Sequence, residues 1–392
     1  MGSVRVSIER ARSITEIDAS EWDRLAGSSV ATSHAWLRTL EDCAVPETRC
    51  QYVVARGPAG LVAAAVGRVH ELSGDVIDLD HALFGRFTAL ARRLGLSTLP
   101  ALVCGTRIGV AGPVLVDGGT PSCERGPLMN AVVQALEETA KENRWTLCFR
   151  EVPCNGSPLR GVLGARGYIH TREMPTAYLD IAWKTFEEFR RHLRATHPAT
   201  AKNLSREVNH GNRNGVVIEQ IEDPTRYGDR LHRLLDSHYR RLNRRPFPFD
   251  PRFLERLKSR LGARALIYVA SIDGEPVGVL VGVKDDESLY LPIIGIDKAR
   301  ARPGAVYFNL GYNRPIRDSI AAGHRRVYFG KLLYAMKASR GCKALDGKLY
   351  YRDLGRSRTA VLRLLFSYRS RKVGALSAAI PREPRLPSDY AF

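Results

Sequence analysis

The stretch YFGKLLYAMKASRGCK (residues 328–343) places four basic side chains at a predicted strand-to-helix junction. The predicted strand ends at Gly330, and helix-forming residues follow it. A fixed ammonium group, or the free N–H groups at a helix start, can stabilise the negative oxygen formed in acyl transfer or bind a phosphate. The junction therefore indicates an anion site, although a solvated helix face is the plainer alternative. The four side chains are Lys331, Lys337, Arg340 and Lys343.

Positive charge is concentrated in the second half of the chain. The 392 residues carry a net charge of +19, but residues 1–180 contain 19 basic and 20 acidic side chains. The remaining residues hold 41 of the 60 Lys and Arg and 21 of the 41 Asp and Glu, so their net charge is +20. A general preference for Arg would raise both halves. The asymmetry therefore favours a polyanion or an anionic substrate as the partner of the second half.

Composition excludes several classes of protein. Hydrophobic residues make up 44% of the chain, enough for sizeable cores, but no apolar run reaches the roughly 18 residues of a membrane span. The seven cysteines are odd in number and lack C-x-x-C spacing, so we expect neither a metal site nor a disulfide framework. The first residues lack the apolar core of a secretory signal. We therefore expect a cytoplasmic enzyme.

The order of predicted elements occurs twice along the chain. Residues 1–180 contain a strand, two helices, a hairpin at residues 51–70, and then alternating strands and helices. Residues 181–392 give a similar order, in which three strands follow one another at residues 265–297. We expect an α/β fold of two domains, residues 1–180 and 181–392, each a mixed sheet flanked by helices.

A basic amphipathic helix is predicted at residues 355–372. Leu362, Leu365 and Phe366 recur at helical spacing, so we expect them to pack on the second domain. Helices of this composition also lie on membrane surfaces, and peripheral membrane contact is therefore the alternative.

Four motifs carry a resemblance to a known family. They are SHAWLRTLE (33–41), IDGEPVGVLVGV (272–283), SLYLPIIGID (288–297) and AAGHRRVYFGKLLYAMKASRGCK (321–343). Their order resembles that of the tandem acetyltransferase-like (GNAT-like) proteins of the Fem type, over most of the chain. The resemblance implies two tandem GNAT-like domains and an acyltransferase, such as the peptidoglycan bridge enzymes that use aminoacyl-tRNA or their relatives in natural-product pathways.

The resemblance assigns a role to Lys337. In Fem enzymes a strand that ends in Gly leads to a helix with a lysine before a glycine, and this lysine is thought to stabilise charge on the transferring carbonyl. Lys337, four residues before Gly341, occupies that place, although MKASRG lacks the flanking phenylalanines that are usual in the family. The resemblance thus implies a catalytic Lys337.

The expected loop for coenzyme A departs from the pattern of simple acetyl-CoA enzymes. Those members of the superfamily carry Arg or Gln, two residues, Gly, one residue, then Gly or Ala, and the loop N–H groups hold the pyrophosphate. The corresponding stretch, DKARARPGAVYFNLGY (297–312), has Pro303-Gly304-Ala305 without this spacing. We therefore expect no bound cofactor and an aminoacyl-tRNA donor, with acyl-CoA or an acidic carrier protein as alternative donors.

The strongest basic run, residues 190–215, is predicted to contact RNA. A basic helix stands at this place in Fem-type proteins, and neutralising several phosphates makes binding strongly salt-dependent. A solvated face is equally compatible with the pattern. The predicted RNA contacts are Arg194, Lys202, Arg206, Arg213, Arg340 and Lys343.

Further residues are predicted to contact the substrate or to take its proton. A general base is needed unless the acceptor amine is neutral or the substrate assists. The candidates for this base are His238, Asp297 and Tyr334. The predicted substrate contacts are Arg245, Tyr290, Asn309, Tyr312, Lys331 and Tyr334. Arg245 beside Phe247 is a basic–aromatic pair that suits a nucleotide or a single-stranded 3′ end.

Together, these features predict that an aminoacyl group moves from a charged tRNA to an amine, with formation of an amide. The acceptor is a small natural-product intermediate or a peptidoglycan precursor. The sequence has no evident coiled-coil arm of the kind some peptidoglycan Fem enzymes carry. Two alternatives stay open: an N-acyltransferase that uses acyl-CoA or a carrier protein, and a non-catalytic nucleic-acid-binding protein on the same scaffold.

Overall fold

The computed structural model describes residues 6–46, 48–71, 79–106, 112–154, 157–302, 304–353 and 359–382. Within these ranges the strands form two mixed sheets flanked by helices, which confirms the predicted fold class. The strands of the first sheet are β1 (Ser7–Ala11), β2 (Cys50–Gly57), β3 (Gly60–His70), β4 (Ala101–Cys104), β5 (Val114–Val116), β6 (Thr146–Pro153), β7 (Ile169–Arg172) and β15 (Gly347–Arg352). The strands of the second sheet are β8 (Thr176–Asp180), β9 (Val217–Ile221), β10 (Ala265–Ile272), β11 (Glu275–Lys284), β12 (Ser288–Ile296), β13 (Arg326–Gly330) and β14 (Lys343–Leu345).

Helices lie before, between and after these strands. Those of the first half are α1 (Ala19–Ala26), α2 (His34–Cys43), α3 (Leu79–Phe84), α4 (Thr88–Arg93), α5 (Ser122–Glu142) and α6 (Pro158–Ala165). Those of the second half are α7 (Phe186–Thr196), α8 (Pro198–Arg213), α9 (Arg230–Asn243), α10 (Phe253–Leu261), α11 (Lys298–Ala301), α12 (Val306–Phe308), α13 (Arg314–Ala321), α14 (Tyr334–Ser339) and α15 (Thr359–Leu376). A π-helical turn, Asn309–Asn313, joins α12 to α13. None of the described helices is long and apolar enough to cross a membrane.

The first sheet has the strand order β1-β2-β3-β4-β6-β15-β7, and β5 pairs with β3. The predicted hairpin is present as β2 and β3, which close at Gly57 and Gly60. Helix α5 packs on one face of the sheet, and α3, α4 and α15 pack on the other. The expectation that Leu362 and Phe366 pack on the second domain is wrong, because β15 leads α15 onto the first sheet instead.

The two sheets exchange chain segments. Strand β8 lies before residue 181, yet it pairs with β13 and β14 of the second sheet. Strand β15 comes late in the chain, yet it fills the position between β6 and β7 of the first sheet. The domain boundary at residue 180 stays a prediction. The first sheet nevertheless includes β15 from the second half of the chain, and the second sheet includes β8 from the first half.

A continuous core joins the two halves. Trp22 and Trp36 of the first half and Phe249 and Phe253 of the second belong to one buried cluster. The rings of Phe249 and Phe253 are stacked at 4.4 Å. A bridge between Ala44 and Phe249 adds backbone pairing to this contact. The halves are therefore held together by packing as well as by the exchanged strands.

The second sheet opens where β12 and β13 part. Its strand order is β14-β8-β13-β12-β11-β10-β9, and β12 and β13 run parallel. They pair only over Ser288–Tyr290 and Arg326–Tyr328, where the rings of Tyr290 and Tyr328 stack at 4.8 Å. Beyond this point β12 bulges against β11 and contains Pro292, which has no N–H to donate. The two parallel strands therefore diverge and leave a cleft between them.

Candidate active site

A cavity of about 200 Å³ fills this cleft. The β12 side contributes Leu291, Pro292 and Ile294, and the β13 side contributes Phe329 and Gly330. Two tyrosines from the helical segment cover it, and two lysines, Lys331 and Lys337, supply its only charges among the described lining residues. The cavity is therefore lined mainly by apolar and aromatic side chains, together with two cations.

Lys337 is buried beneath the loop that follows β13. Its Nζ donates hydrogen bonds to the carbonyl oxygens of Phe329 at 2.8 Å, Gly330 at 3.0 Å and Lys331 at 3.1 Å. The residue is only 3% exposed, and burial lowers its pKa to about 8. Three carbonyl acceptors require three N–H groups, which only the ammonium form supplies. The geometry therefore favours a charged Lys337 whose donors are all used within the loop.

The loop held by Lys337 has an uncommon backbone conformation. Gly330, Leu332 and Leu333 have φ values of 66°, 70° and 53°. Left-handed φ values cost a non-glycine residue on the order of 1–2 kcal/mol, so two consecutive leucines need compensating contacts. The Lys337 bonds are such contacts. Because of this loop the helix begins at Tyr334 rather than directly after Gly330, where the sequence predicted its start.

Tyr312 closes the cavity on the helical side. Its ring stacks on that of Phe329 with centroids 5.0 Å apart. The π-helical turn that precedes α13 contains Gly311 and Tyr312, and both line the cavity. Burial raises the pKa of Tyr312 above its ordinary range, so its hydroxyl stays neutral. Tyr312 thus lies at the wall of the cavity, and its predicted contact with the substrate stays a prediction.

A carboxylate from the first sheet reaches the cavity through Lys331. Lys331 Nζ is 2.6 Å from Glu151 Oε1, and Glu151 Oε2 is buried without a hydrogen-bond partner among the described residues. Glu151 has a φ of 57°, and its N–H donates to Glu173. Burial alone would raise the pKa of Glu173, but Arg150 and Lys331 hold it below its ordinary range. Glu151 is thus a carboxylate on strained backbone with one unsatisfied oxygen, and such groups are typical of functional sites.

Sequence reasoning missed Glu151, although the duplicated architecture contained a signal for it. In the first sheet β4 and β6 run parallel and pair as far as Phe149, just as β12 and β13 pair as far as Tyr328. Glu151 lies two residues after Phe149, and Lys331 lies three residues after Tyr328. A comparison of the two halves would therefore have placed both side chains beyond the end of a parallel strand pair.

The three predicted bases lie outside the cavity lining. Asp297 caps α11 by accepting from the N–H groups of Ala299 and Arg300. His238 is buried on α9, and burial together with Arg241 lowers its pKa. The Tyr334 hydroxyl donates to the carbonyl of Pro175 at 2.7 Å. Each side chain has a structural contact, and the catalytic roles of Asp297, His238 and Tyr334 stay predictions.

The other predicted substrate contacts are distributed around the cavity rather than within it. Tyr290 stacks in the core, and its hydroxyl donates to Asp285 at 2.9 Å. Asn309 donates to the carbonyl of Glu207 at 2.7 Å, which ties the helical segment to α8. Arg245 is partly exposed after the end of α9 and does not line the cavity. Of the six predicted contacts, the structure brings Tyr312 and Lys331 to the cavity wall.

The loop between β12 and α12 is closely packed. A Cβ added to Gly304 would lie 2.3 Å from Val216 Cγ2. Ala305, the next residue, has a φ of 50° and precedes the helix start. In simple acetyl-CoA enzymes this helix start carries the pyrophosphate on its N–H groups, which requires open space in front of them. Here Val216 packs against the loop at that place.

Helix α8 presents a row of exposed cations. Lys202, Arg206 and Arg213 are exposed on this helix. No ion pair is recorded for these three within the described part of the chain, whereas Arg194 on α7 pairs with Glu187 at 3.1 Å. Exposed cations without a protein partner are available to phosphates. This part of the predicted RNA surface is therefore accessible.

The structure gives Arg340 and Lys343 other contacts. Arg340 is buried, its Nη2 lies 2.6 Å from Glu207 Oε1, and its guanidinium lies 5.1 Å from the ring of Tyr312. Lys343 pairs with Asp180 at 2.8 Å across β14 and β8. A guanidinium enclosed by a carboxylate and aromatic rings does not reach a nucleic acid. Arg340 instead connects the exposed helix α8 to α14, which carries Lys337.

Comparison with known proteins places this geometry in a family. The sequence matches the family model FemAB-like, described as peptidoglycan biosynthesis/recognition, over residues 13–350. Comparison with curated protein sequences gives no match. The C-terminal domain of a putative lysylphosphatidylglycerol synthetase from Agrobacterium fabrum has a TM-score of 0.55 at 13% identity, covering 94% of this chain and 99% of that chain. The structure of FemX has a TM-score of 0.53 at 11% identity, covering 91% and 100%.

These similarities define the class of the protein. The two mixed sheets and the cleft between diverging parallel strands are those of the tandem GNAT-like fold. The chain belongs to the FemAB-like family, and it is an acyltransferase of the Fem type.

Proposed function

We propose that this protein transfers an aminoacyl group from a charged tRNA to an amine, so that an amide bond forms, the ester bond to the terminal ribose breaks, and the tRNA leaves with a protonated ribose hydroxyl. The observation that carries the proposal is the cavity whose lining includes the buried Lys337 ammonium. Acyl transfer to an amine passes through a tetrahedral species with a negative oxygen. A fixed positive charge held beside the reacting carbonyl group stabilises that oxygen.

In this proposal, Lys337 acts through the electrostatic field of its ammonium group and through the hydrogen bonds by which it fixes the loop after β13. Its three N–H donors are used by the carbonyl oxygens of Phe329, Gly330 and Lys331, so it donates no further bond unless one of these is broken. The positive charge stays beside the cavity, and the bonds fix the loop that forms its wall. Lys337 is thus both an electrostatic and a positioning residue in this proposal.

The exposed cations of α8 support a tRNA donor. Lys202, Arg206 and Arg213 form a phosphate-binding row, and α8 is joined to α14 by the buried pair of Glu207 and Arg340. A nucleic acid bound along α8 would therefore lie on the helix that is connected to the acyl cavity. The close packing of Gly304 against Val216 argues against a CoA pyrophosphate at the neighbouring loop.

Glu151 is the carboxylate best placed to take a proton from the acceptor. Its Oε1 pairs with Lys331, which lines the cavity, and its Oε2 has no partner among the described residues. The attacking amine must lose a proton as the amide forms, and a carboxylate within reach, directly or through one water, can accept it. The acceptor would then enter from the side of the first sheet. Its identity as a small natural-product amine or a peptidoglycan precursor belongs to the proposal.

The donor is tested by the RNA that accompanies the protein. Purified at low salt without nuclease, the protein should carry one enriched tRNA, which is lost as salt is raised because phosphate contacts release counterions. Replacing Lys202, Arg206 and Arg213 together by Ala should weaken tRNA binding by about 10²-fold or more. Sequencing of the bound RNA and a filter-binding titration measure both effects.

The matched control replaces three exposed arginines elsewhere, Arg233, Arg252 and Arg264, by Ala, which changes the net charge equally. This variant should bind tRNA within about threefold of the native protein, because its charges lie off the α8 row. Equal losses in both variants, or no tRNA on the native protein, would contradict the tRNA donor. Transfer from acyl-CoA or an acyl carrier protein would then identify the donor.

Lys337 is tested by substitution and by pH. Lys337→Ala should lower turnover by about 10²–10³-fold, the usual cost of losing a charge-stabilising group. Native turnover should fall as the pH rises through about 8, because the ammonium group then loses its proton. Lys337→Arg keeps its charge at that pH and should lack the fall, at a lower maximal rate. An Ala variant with full turnover would remove the assigned role.

Glu151 is tested by Glu151→Gln, which keeps the shape of the side chain but cannot accept a proton. Turnover should fall by about 10²–10⁴-fold while tRNA binding is unchanged. Glu287→Gln, at an exposed carboxylate paired with Arg325, should leave turnover within about twofold. Single-turnover transfer to a panel of amines measures the rates. Native rates for the Gln variant would exclude Glu151 as the base.

A further inference from the structure

Helix α15 has an apolar row on its exposed side. Val361, Leu364 and Tyr368 recur at helical spacing and are 48%, 74% and 64% exposed. Leu362 and Phe366, on the opposite side, are buried against the first sheet. The helix is therefore apolar on two sides, and its core contacts account for only one of them. Rows of large exposed apolar side chains mark interaction surfaces.

A second apolar row lies on helix α4 and the two residues that flank it. Its exposed side chains are Leu90 on the helix, Phe87 directly before it and Leu94 directly after it, which are 50–65% exposed. Ala91 of the same helix is buried in the cluster that holds Leu362 and Phe366 of α15. Both helices therefore cover the same face of the first sheet, and both turn apolar side chains away from it.

These two segments carry charge of only one sign. Residues 87–94 and 359–376 contain six Lys and Arg and no Asp or Glu. The exposed members are Arg93, Arg363, Arg371 and Lys372. Apolar side chains mixed with cations alone are typical of helices that lie at the boundary of an anionic membrane.

We propose that the face formed by α4 and the exposed side of α15, the α4–α15 face, docks on a bilayer that contains anionic phospholipids. Leu364 and Leu90 would enter the acyl boundary, Tyr368 suits the headgroup level, and the arginines would meet lipid phosphates. Charge complementarity selects this occupant over a second copy of the chain. Two copies joined by this face would bring the cations of these two segments against each other, and neither segment contains an acidic residue to offset them.

The α4–α15 face is separate from the acyl cavity. Its helices pack on the first sheet, whereas the cavity lies between β12 and β13 of the second. None of its side chains lines the cavity, and none belongs to the α8 row. Membrane docking can therefore be tested without disturbing the transfer reaction.

Vesicle co-sedimentation of the full chain tests the docking. The native protein should pellet with vesicles of equal phosphatidylglycerol and phosphatidylcholine, and much less with phosphatidylcholine alone. Leu364→Glu combined with Tyr368→Glu should lower the partition to the anionic vesicles by more than about tenfold, because two apolar anchors are lost and two negative charges are added. Binding should also fall with added salt.

The control combines Val217→Glu and Leu242→Glu, at two exposed apolar positions off this face with 63% and 60% exposure. It adds the same charge and should bind within about twofold of the native protein. Thermal unfolding and tRNA binding should be equal in all three proteins. The proposal is overturned if the native protein ignores anionic vesicles, if both variants lose binding equally, or if sedimentation velocity shows a dimer that only the α15 variant dissociates.

Discussion

The ammonium group of Lys337, enclosed by three backbone carbonyl oxygens, is the interaction on which the site depends. It compensates two consecutive leucines in left-handed backbone conformations, and these shape the wall of the cavity. It also places a positive charge beside a cavity that is lined mainly by apolar and aromatic side chains. Burial disfavours that charge and lowers the pKa of Lys337 to about 8. The ammonium group of Lys337 therefore both holds the strained loop in place and provides the fixed positive charge beside the cavity.

The exchange of strands gives the cavity its partner from the first sheet. Because β8 enters the second sheet and β15 returns to the first, the two sheets are fixed beside each other. The pair of Lys331 and Glu151 then connects the ends of two parallel strand pairs, one in each sheet. An acceptor bound between the halves would meet the acyl carbon on one side and a carboxylate on the other. In the proposed reaction, the tandem arrangement therefore brings together groups from both sheets.

The fold was largely predictable from the sequence because its signals are local. The hairpin of β2 and β3 and the three strands β10 to β12 follow from alternating apolar residues and turn dipeptides. The exchange of β8 and β15 between the sheets was not predictable, since the pairing of strands that lie far apart in the chain leaves no periodicity in the sequence. At the site, the resemblance singled out Lys337, and the structure places it at the cavity. Arg340 was predicted to contact RNA, but the structure buries it in an ion pair with Glu207. The sequence around Arg340 gives no sign of a partner so far away in the chain.

An NMR titration of the lysine side chains, with selective ¹⁵N labelling and Lys337→Arg for assignment, shows directly whether the ammonium group of Lys337 is enclosed. One slowly exchanging ammonium resonance, absent from the Arg variant, should titrate near pH 8. If every lysine instead exchanges rapidly and titrates near the ordinary value of about 10.4, Lys337 is neither enclosed nor desolvated, and the account of the site is contradicted.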